Sequence, residues 1–304
     1  MYNPFRPSLA ATLSFGLSAL TLILMAAAAS GQTHGASSHG TDAHHSVSDS
    51  VIQNQRIALS RATHGVGFGP QAPRDIDLVA GSNRRIFGFA PHFSRMNLCN
   101  IHFHEGAEHR GGEFTTYIGN GDGNGNGSGY AYDGHLTDAE RAPYTHPVGD
   151  VGHGALVPGD TIEVHFVYST ADVRPGPTLG SCLDTETGNP ELRVEAQVMV
   201  LVNDPNAANF LELASLQTID GYAQAPNLPR DSGMPIVYQG STTGPSYNEN
   251  GSPYQVTWSV RPRVLRVSIQ SIDAWLGNNA FGEDHAHGVR NLVTDPELLS
   301  EIRF

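Results

Sequence analysis

Cys99-Asn100-Ile101-His102-Phe103-His104-Glu105-Gly106-Ala107-Glu108-His109 alternates polar and apolar residues over its first half. That is the pattern of a strand, whose side chains point to opposite faces in turn. Asn100, His102 and His104 then share one face, and Ile101 and Phe103 the other. Two imidazoles two residues apart on a rigid strand can reach one metal ion. One H-x-H is a weak signal in a chain with 15 histidines. It gains weight from a second stretch of the same kind, Thr161-Ile162-Glu163-Val164-His165-Phe166-Val167-Tyr168, in which Glu163, His165 and Val167 share a face. The two strands offer three neutral nitrogen ligands, His102, His104 and His165, with carboxylates close by. Three histidines and an open position form the ligand set of a catalytic zinc, not of a closed structural one.

The rest of the chain fits an exported, strand-built protein. Its 304 residues allow a large core, and 34 glycines, 19 prolines and 15% charged residues suit loops and strands. A formal charge of −13 argues against nucleic acid or anionic membranes as partners. Residues 1–30 read as a secretory signal: Arg6, an apolar run from Leu9 to Met25, then small residues at Ala26–Ser30. The expected location is therefore outside the cytosol, periplasmic or extracellular, with no membrane attachment after cleavage. Residues 31–50, rich in Ser, Gly and His, cannot bury a core and read as a flexible tail, leaving 51–304 as the catalytic domain. In an oxidising compartment the two cysteines, Cys99 and Cys182, are most simply a disulfide. Closing a loop of 83 residues contributes about 4 kcal/mol if unstrained.

Gln71–Val79 reads as a turn entering a strand, and further strands are expected at Arg84–Ala90, Leu192–Val202, Ile236–Tyr238, Val256–Val260 and Val264–Ile272, with short helices at Asn209–Leu216 and Pro296–Ile302. The sum is one mostly β domain with minor helices. Between the histidine strands, Gly119–Gly129 reads as a plain flexible loop. Asp122, Asn124, Asn126 and Gly127 match half of a calcium-loop pattern, with Asp133 in place of the usual glutamate.

Four separated pieces resemble the α-type carbonic anhydrases, and more closely their δ-type relatives. They are Gln71-Ala72-Pro73; Asn100 to His104 with Glu108-His109; Glu163-Val164-His165; and Tyr238 to Pro245 followed by Val256-Thr257-Trp258. Asn97-Leu98-Cys99-Asn100-Ile101-His102-Phe103-His104, with Ala107-Glu108-His109, carries the δ likeness. The resemblance implies a central, largely antiparallel sheet and reversible hydration of carbon dioxide to bicarbonate and a proton by a zinc-bound hydroxide. It assigns the zinc to His102, His104 and His165, the hydrogen bonds that orient those ligands to Glu163 and Asn100, and a carbon dioxide pocket to Val167 and Trp258. Glu108 and a threonine would form the relay that orients the nucleophile. An ungapped match makes that threonine Thr243, a gapped one Thr242; the ungapped match is taken. His92 is the candidate proton shuttle, by its place between the first two pieces. The oligomeric state, a homo-oligomer included, is open.

The main rival is a cupin-type metal-dependent oxygenase, whose ligands would be His102, His104, Glu108 and His165. Gly240–Pro245 and Val256–Trp258 have no role there. A second rival is an exported metal-binding protein without catalysis. Whether Glu108 ligates the metal or accepts from a threonine separates the cupin from the anhydrase.

Overall fold

The computed structural model describes residues 46–303. The expected signal segment and residues 31–45 of the expected tail lie outside them. Helix α1 (Asp49–Thr63) opens the described chain, with Asp49 at its positive end. Residues 46–50 do not behave as tail: Val47 N donates to Gly121 O, and Asn120 Nδ2 donates to Val47 O and Asp49 Oδ1. The fold thus begins ahead of Val51.

Five strands make the central sheet: β1 (Asn97–Glu105), β4 (Thr161–Ser169), β5 (Leu192–Val202), β9 (Gln255–Ser268) and β8 (Ile236–Ser241), in that spatial order. All neighbours are antiparallel except β5 and β9, which run parallel, so the sheet is mixed. Two small hairpins, β2 (Thr116–Asn120) with β3 (Ser128–Ala131) and β6 (Gln217–Ile219) with β7 (Tyr222–Gln224), stand apart. Helices α2 (Phe210–Leu213) and α3 (Ile269–Gly277) cover one face. There Ile101, Phe103, Val164 and Phe166 pack with Phe210, Ile269, Ile272 and Trp275. Each such side chain stabilises the fold by about 1.5–3 kcal/mol when fully buried. The alternation that commits these residues to the helices turns His102, His104 and His165 to the opposite face. No described helix is long and apolar enough to cross a membrane.

Several expectations need correcting. Val264–Ile272 is not one strand: β9 runs unbroken through Pro262, where the register with β5 shifts, and Ile269 begins α3. Proline cannot donate to a ladder, so a bulge sits there. Residues 76–79 and 84–90 form no strand. Parts of this region are held by the C-terminal segment, through Ser82 N to Pro296 O, Asn83 N to Leu299 O and Ile302 N to Val79 O. The helix expected at Pro296–Ile302 is a single 3₁₀ turn, Pro296–Leu298. Gly119–Gly129 is the turn and flanks of the β2–β3 hairpin. Asp122 accepts from Asn124 N, Asn126 N and Asn126 Nδ2, and Asp133 from the backbone and hydroxyls of Thr115 and Thr116. Both carboxylates brace their own turns through these bonds, and neither belongs to a cluster of metal-ligating groups among the described residues.

Cys99 and Cys182 are joined, with Cα atoms 5.0 Å apart. Cys99 is the extra residue of a register shift between Leu98 and Asn100. The shift leaves Asn100 opposite Val167, His102 opposite His165 and His104 opposite Glu163.

Candidate metal centre

Directly opposed residues on an antiparallel pair have Cβ atoms about 4.5–5.5 Å apart, so the register alone gathers three imidazoles. Their ligand atoms all lie within 4.8 Å of one another, and they form the one such histidine, cysteine or carboxylate cluster among the described residues. His104 and His165 are buried; His102 keeps a partly exposed edge.

Each ring has one nitrogen engaged by an acceptor. His102 Nδ1 meets Asn100 Oδ1 at 2.6 Å, His104 Nδ1 meets Gly288 O at 2.9 Å, and His165 Nε2 meets Glu163 Oε1 at 2.9 Å. Asn100 cannot turn its amide round, because its Nδ2 donates to Gly176 O. These partners only accept, so each ring's proton sits on the outer nitrogen and the inner nitrogen carries a bare lone pair. His102 Nε2 and His165 Nδ1 approach to 3.2 Å, and His104 Nε2 is buried with no partner. Two lone pairs at that distance do not form a hydrogen bond. The spacing instead suits two nitrogens on one tetrahedral ion with bonds of about 2.0–2.1 Å. Burial, followed by the neighbouring rings of His165, His104 and His287, holds His102 well below the usual imidazole range. Burial likewise brings His104 down to about 4. The donor set fits a divalent cation.

Behind the triad runs a buried chain. Glu163 Oε1 meets both His165 Nε2 and His109 Nδ1, the latter at 2.6 Å, and Oε2 accepts from His109 N. His109 Nε2 meets the Tyr238 hydroxyl at 2.6 Å. Burial by itself would raise the Glu163 carboxyl, but His109 and His165 hold it well below the usual range. Glu163→Gln should therefore weaken metal binding about ten- to a hundredfold, read by competition with a chelator. Native affinity in that variant would remove Glu163 from the support of His165.

Glu108 does not join the three-histidine cluster. Its Oε1 accepts from Arg290 N at 2.6 Å, and Oε2 is buried without a partner. The cupin ligand set is therefore not assembled. Thr242 and Thr243 both line the cleft over the histidines, but neither is hydrogen-bonded to Glu108. The Thr242 hydroxyl is 2.6 Å from Ser252 Oγ. Val167 and Trp258 line the same cleft of about 460 Å3, with Leu179, Val194 and Val256 completing an apolar wall. The Trp258 ring lies 5.0 Å from that of His165, and its Nε1 donates to Ser241 O.

His92, the candidate proton shuttle, stands away from the cleft wall. It caps the turn Phe93–Arg95 and bonds Ser94, and it does not line the cleft. The other histidine on the cleft wall is His287, whose Nε2 meets Glu283 Oε2 at 2.6 Å. Sequence reading passed over it, although His285-Ala286-His287 is a further H-x-H. Arg290 was missed as well. Its guanidinium donates to Ala72 O, Tyr247 O and Gln71 Oε1 while its N–H holds Glu108. Gln71-Ala72 is thereby tied to the threonine loop.

Among solved structures, the chain is similar to an α-carbonic anhydrase from Photobacterium profundum at 18% identity, over 79% of this chain and 93% of that one, with a TM-score of 0.25. An α-carbonic anhydrase from Thermovibrio ammonificans in complex with the inhibitor sulfanilamide follows at 16%, over 73% and 84%, also at 0.25. A hyperthermostable carbonic anhydrase from a hydrothermal vent chimney matches at 16%, over 79% and 89%, at 0.27. Overlays this loose carry no argument about the site. No curated protein matches the sequence. The family model described as Delta carbonic anhydrase does match, over residues 93–271, which is more than half the chain and includes all three histidines. By that match, the chain belongs to the delta carbonic anhydrases.

Proposed function

We propose that this carbonic anhydrase is a zinc enzyme that hydrates carbon dioxide at the His102–His104–His165 cluster. The observation carrying the proposal is the convergence of three lone pairs whose protons are pinned on the far side of each ring. His102 Nε2, His104 Nε2 and His165 Nδ1 would hold the ion. When bound by three neutral imidazoles, zinc keeps its full charge and acidifies a water, the source of the nucleophile; carbonic anhydrase is itself the standard example of this effect.

The chain's own residues supply the rest. Glu108, once ionised, can only accept, so a threonine hydroxyl beside it must donate and turn its lone pairs outward. Thr243 is the better partner, because the Thr242 hydroxyl is already engaged by Ser252. An outward lone pair accepts the nucleophile's remaining proton and so fixes which way the nucleophile faces. Carbon dioxide is uncharged, and Val167, Val194 and Trp258 offer it an apolar resting place beside the histidines. Residues 1–30 are proposed as an export signal and the location as periplasmic or extracellular. The Cys99–Cys182 pair supports this, since disulfides persist in oxidising compartments.

Metal analysis of the purified protein should find one zinc per chain. Chelation should abolish carbon dioxide hydration, and zinc should restore it. Full activity after complete removal of metal would overturn the assignment.

A further inference from the structure

Helix α1 lies outside the matched family region, yet its inward face is aimed at Glu108. Ile52, Gln55, Arg56, Leu59 and Thr63 recur at the spacing of one helix face. Ile52, Leu59 and Thr63 are buried, and the two polar residues sit among them.

Both polar side chains lead to the same carboxylate. Gln55 Nε2 donates to Gly123 O, and its Oε1 accepts from Asn291 Nδ2 at 2.7 Å. Asn291 N is in turn held by Asn248 Oδ1 at 2.7 Å. Asn291 is therefore fixed on both sides, and the residue before it donates the Arg290 N–H to Glu108 Oε1. Arg56 takes a second route. Its Nε is buried with no partner, as is Glu108 Oε2. Arg56 and Glu108 line one small cavity of about 10 Å3, together with Tyr130 and Arg290. That is room for about one water molecule. A buried guanidinium N–H and a buried carboxylate oxygen each cost free energy while unmatched, and one water can satisfy both.

We infer that α1 is a positioning element of the active site: Arg56, through a single buried water, and Gln55, through Asn291, hold Glu108 from behind. A carboxylate oxygen has two lone pairs, so accepting from the water leaves one for the threonine hydroxyl. The inference rests on the proposed role of Glu108 in orienting the nucleophile.

The test uses the full-length, zinc-loaded protein. Arg56→Met keeps the aliphatic stem and removes the donor, so zinc content should hold while kcat/KM for carbon dioxide falls roughly tenfold or more. Arg56→Lys, which restores a charged donor, should recover most of the loss. Gln55→Ala should act in the same direction. Hydrogen exchange at the Arg290 amide gives a readout apart from activity, and should quicken in Arg56→Met and Gln55→Ala but not in Arg56→Lys. In a Glu108→Ala background, Arg56→Met should cost nothing further. Native kcat/KM and native Arg290 exchange in both Arg56→Met and Gln55→Ala would overturn the inference, as would an equal loss in the Glu108→Ala background. If Glu108→Ala itself hydrates carbon dioxide at the native rate, it is the underlying reading of Glu108 that fails.

Discussion

His165→Ala should purify without stoichiometric zinc, with affinity reduced by at least about a hundredfold, the upper end of what changes in outer-shell partners cost. His165 is the member of the triad with the least alternative. It lies on β4, the strand flanked by both β1 and β5, and its ring is wedged between those of His104 and Trp258 at 4.7 and 5.0 Å. No other described histidine, cysteine or carboxylate joins the cluster to replace it. Folding should survive, because Glu163 keeps both of its bonds from His109. His92→Ala is the matching control. Its ring lies off the cleft, so zinc and activity should both stay native. The decisive measurement is metal content after gel filtration, with near-ultraviolet circular dichroism to confirm packing. Full zinc occupancy at native affinity in His165→Ala would end the three-histidine assignment.

Glu108→Ala should keep its zinc and lose kcat/KM by about a hundredfold, the scale on which a misplaced reacting group costs rate. Glu108→Gln is the sharper variant. A carboxylate presents an acceptor on each oxygen, and the structure uses one of them for Arg290 N. An amide has a single oxygen. In the proposed relay, if that oxygen stays on Arg290 N, an NH2 would face the threonine, donor against donor; if it turns, Arg290 N is left buried and unpaired, at about 1–3 kcal/mol. Glu108→Gln should thus be nearly as slow as Glu108→Ala. Thr243→Ala should match them, whereas Thr242→Ala should be the milder change. Near-native rates in both Glu108→Gln and Thr243→Ala would sink the relay. A reversal between the two threonines would move it to Thr242.

The sheet that carries the site was legible because its signal is periodic. β4 and β5 fall where period-two alternation puts them, at Thr161–Ser169 and Leu192–Val202. The histidine faces follow from the same parity. What was hidden depends on contacts between distant segments. Ile269, Ile272, Trp275 and Leu276 are spaced for a helix, but the apolar run of β9 leads into them without a break. In α1 the buried face holds Ile52, Leu59 and Thr63, too thin a stripe to stand out beside a Ser- and His-rich leader. His287, Arg290 and Tyr238 reach the site from positions far along the chain. No spacing around His102 could have named them. Residues 84–90 misled for the opposite reason: an apolar stretch can be extended without a partner strand, and this one has none.

The β1 strand stands at the end of the sheet, and its outer edge is filled by loop backbone. Gly176 N donates to Cys99 O, His287 N to Phe103 O, and His287 O accepts from Glu105 N. An uncovered edge strand of this length, with Ile101 and Phe103 on one side, is a template on which another chain can add a strand. The backbone that shelters the histidine-bearing strand from foreign pairing therefore comes partly from His287, immediately before the Gly288 carbonyl that pins His104. Loosening residues 286–288 should therefore uncover that edge and release the His104 ring together, so any tendency to self-associate and any loss of a bound ion are expected to appear at the same moment.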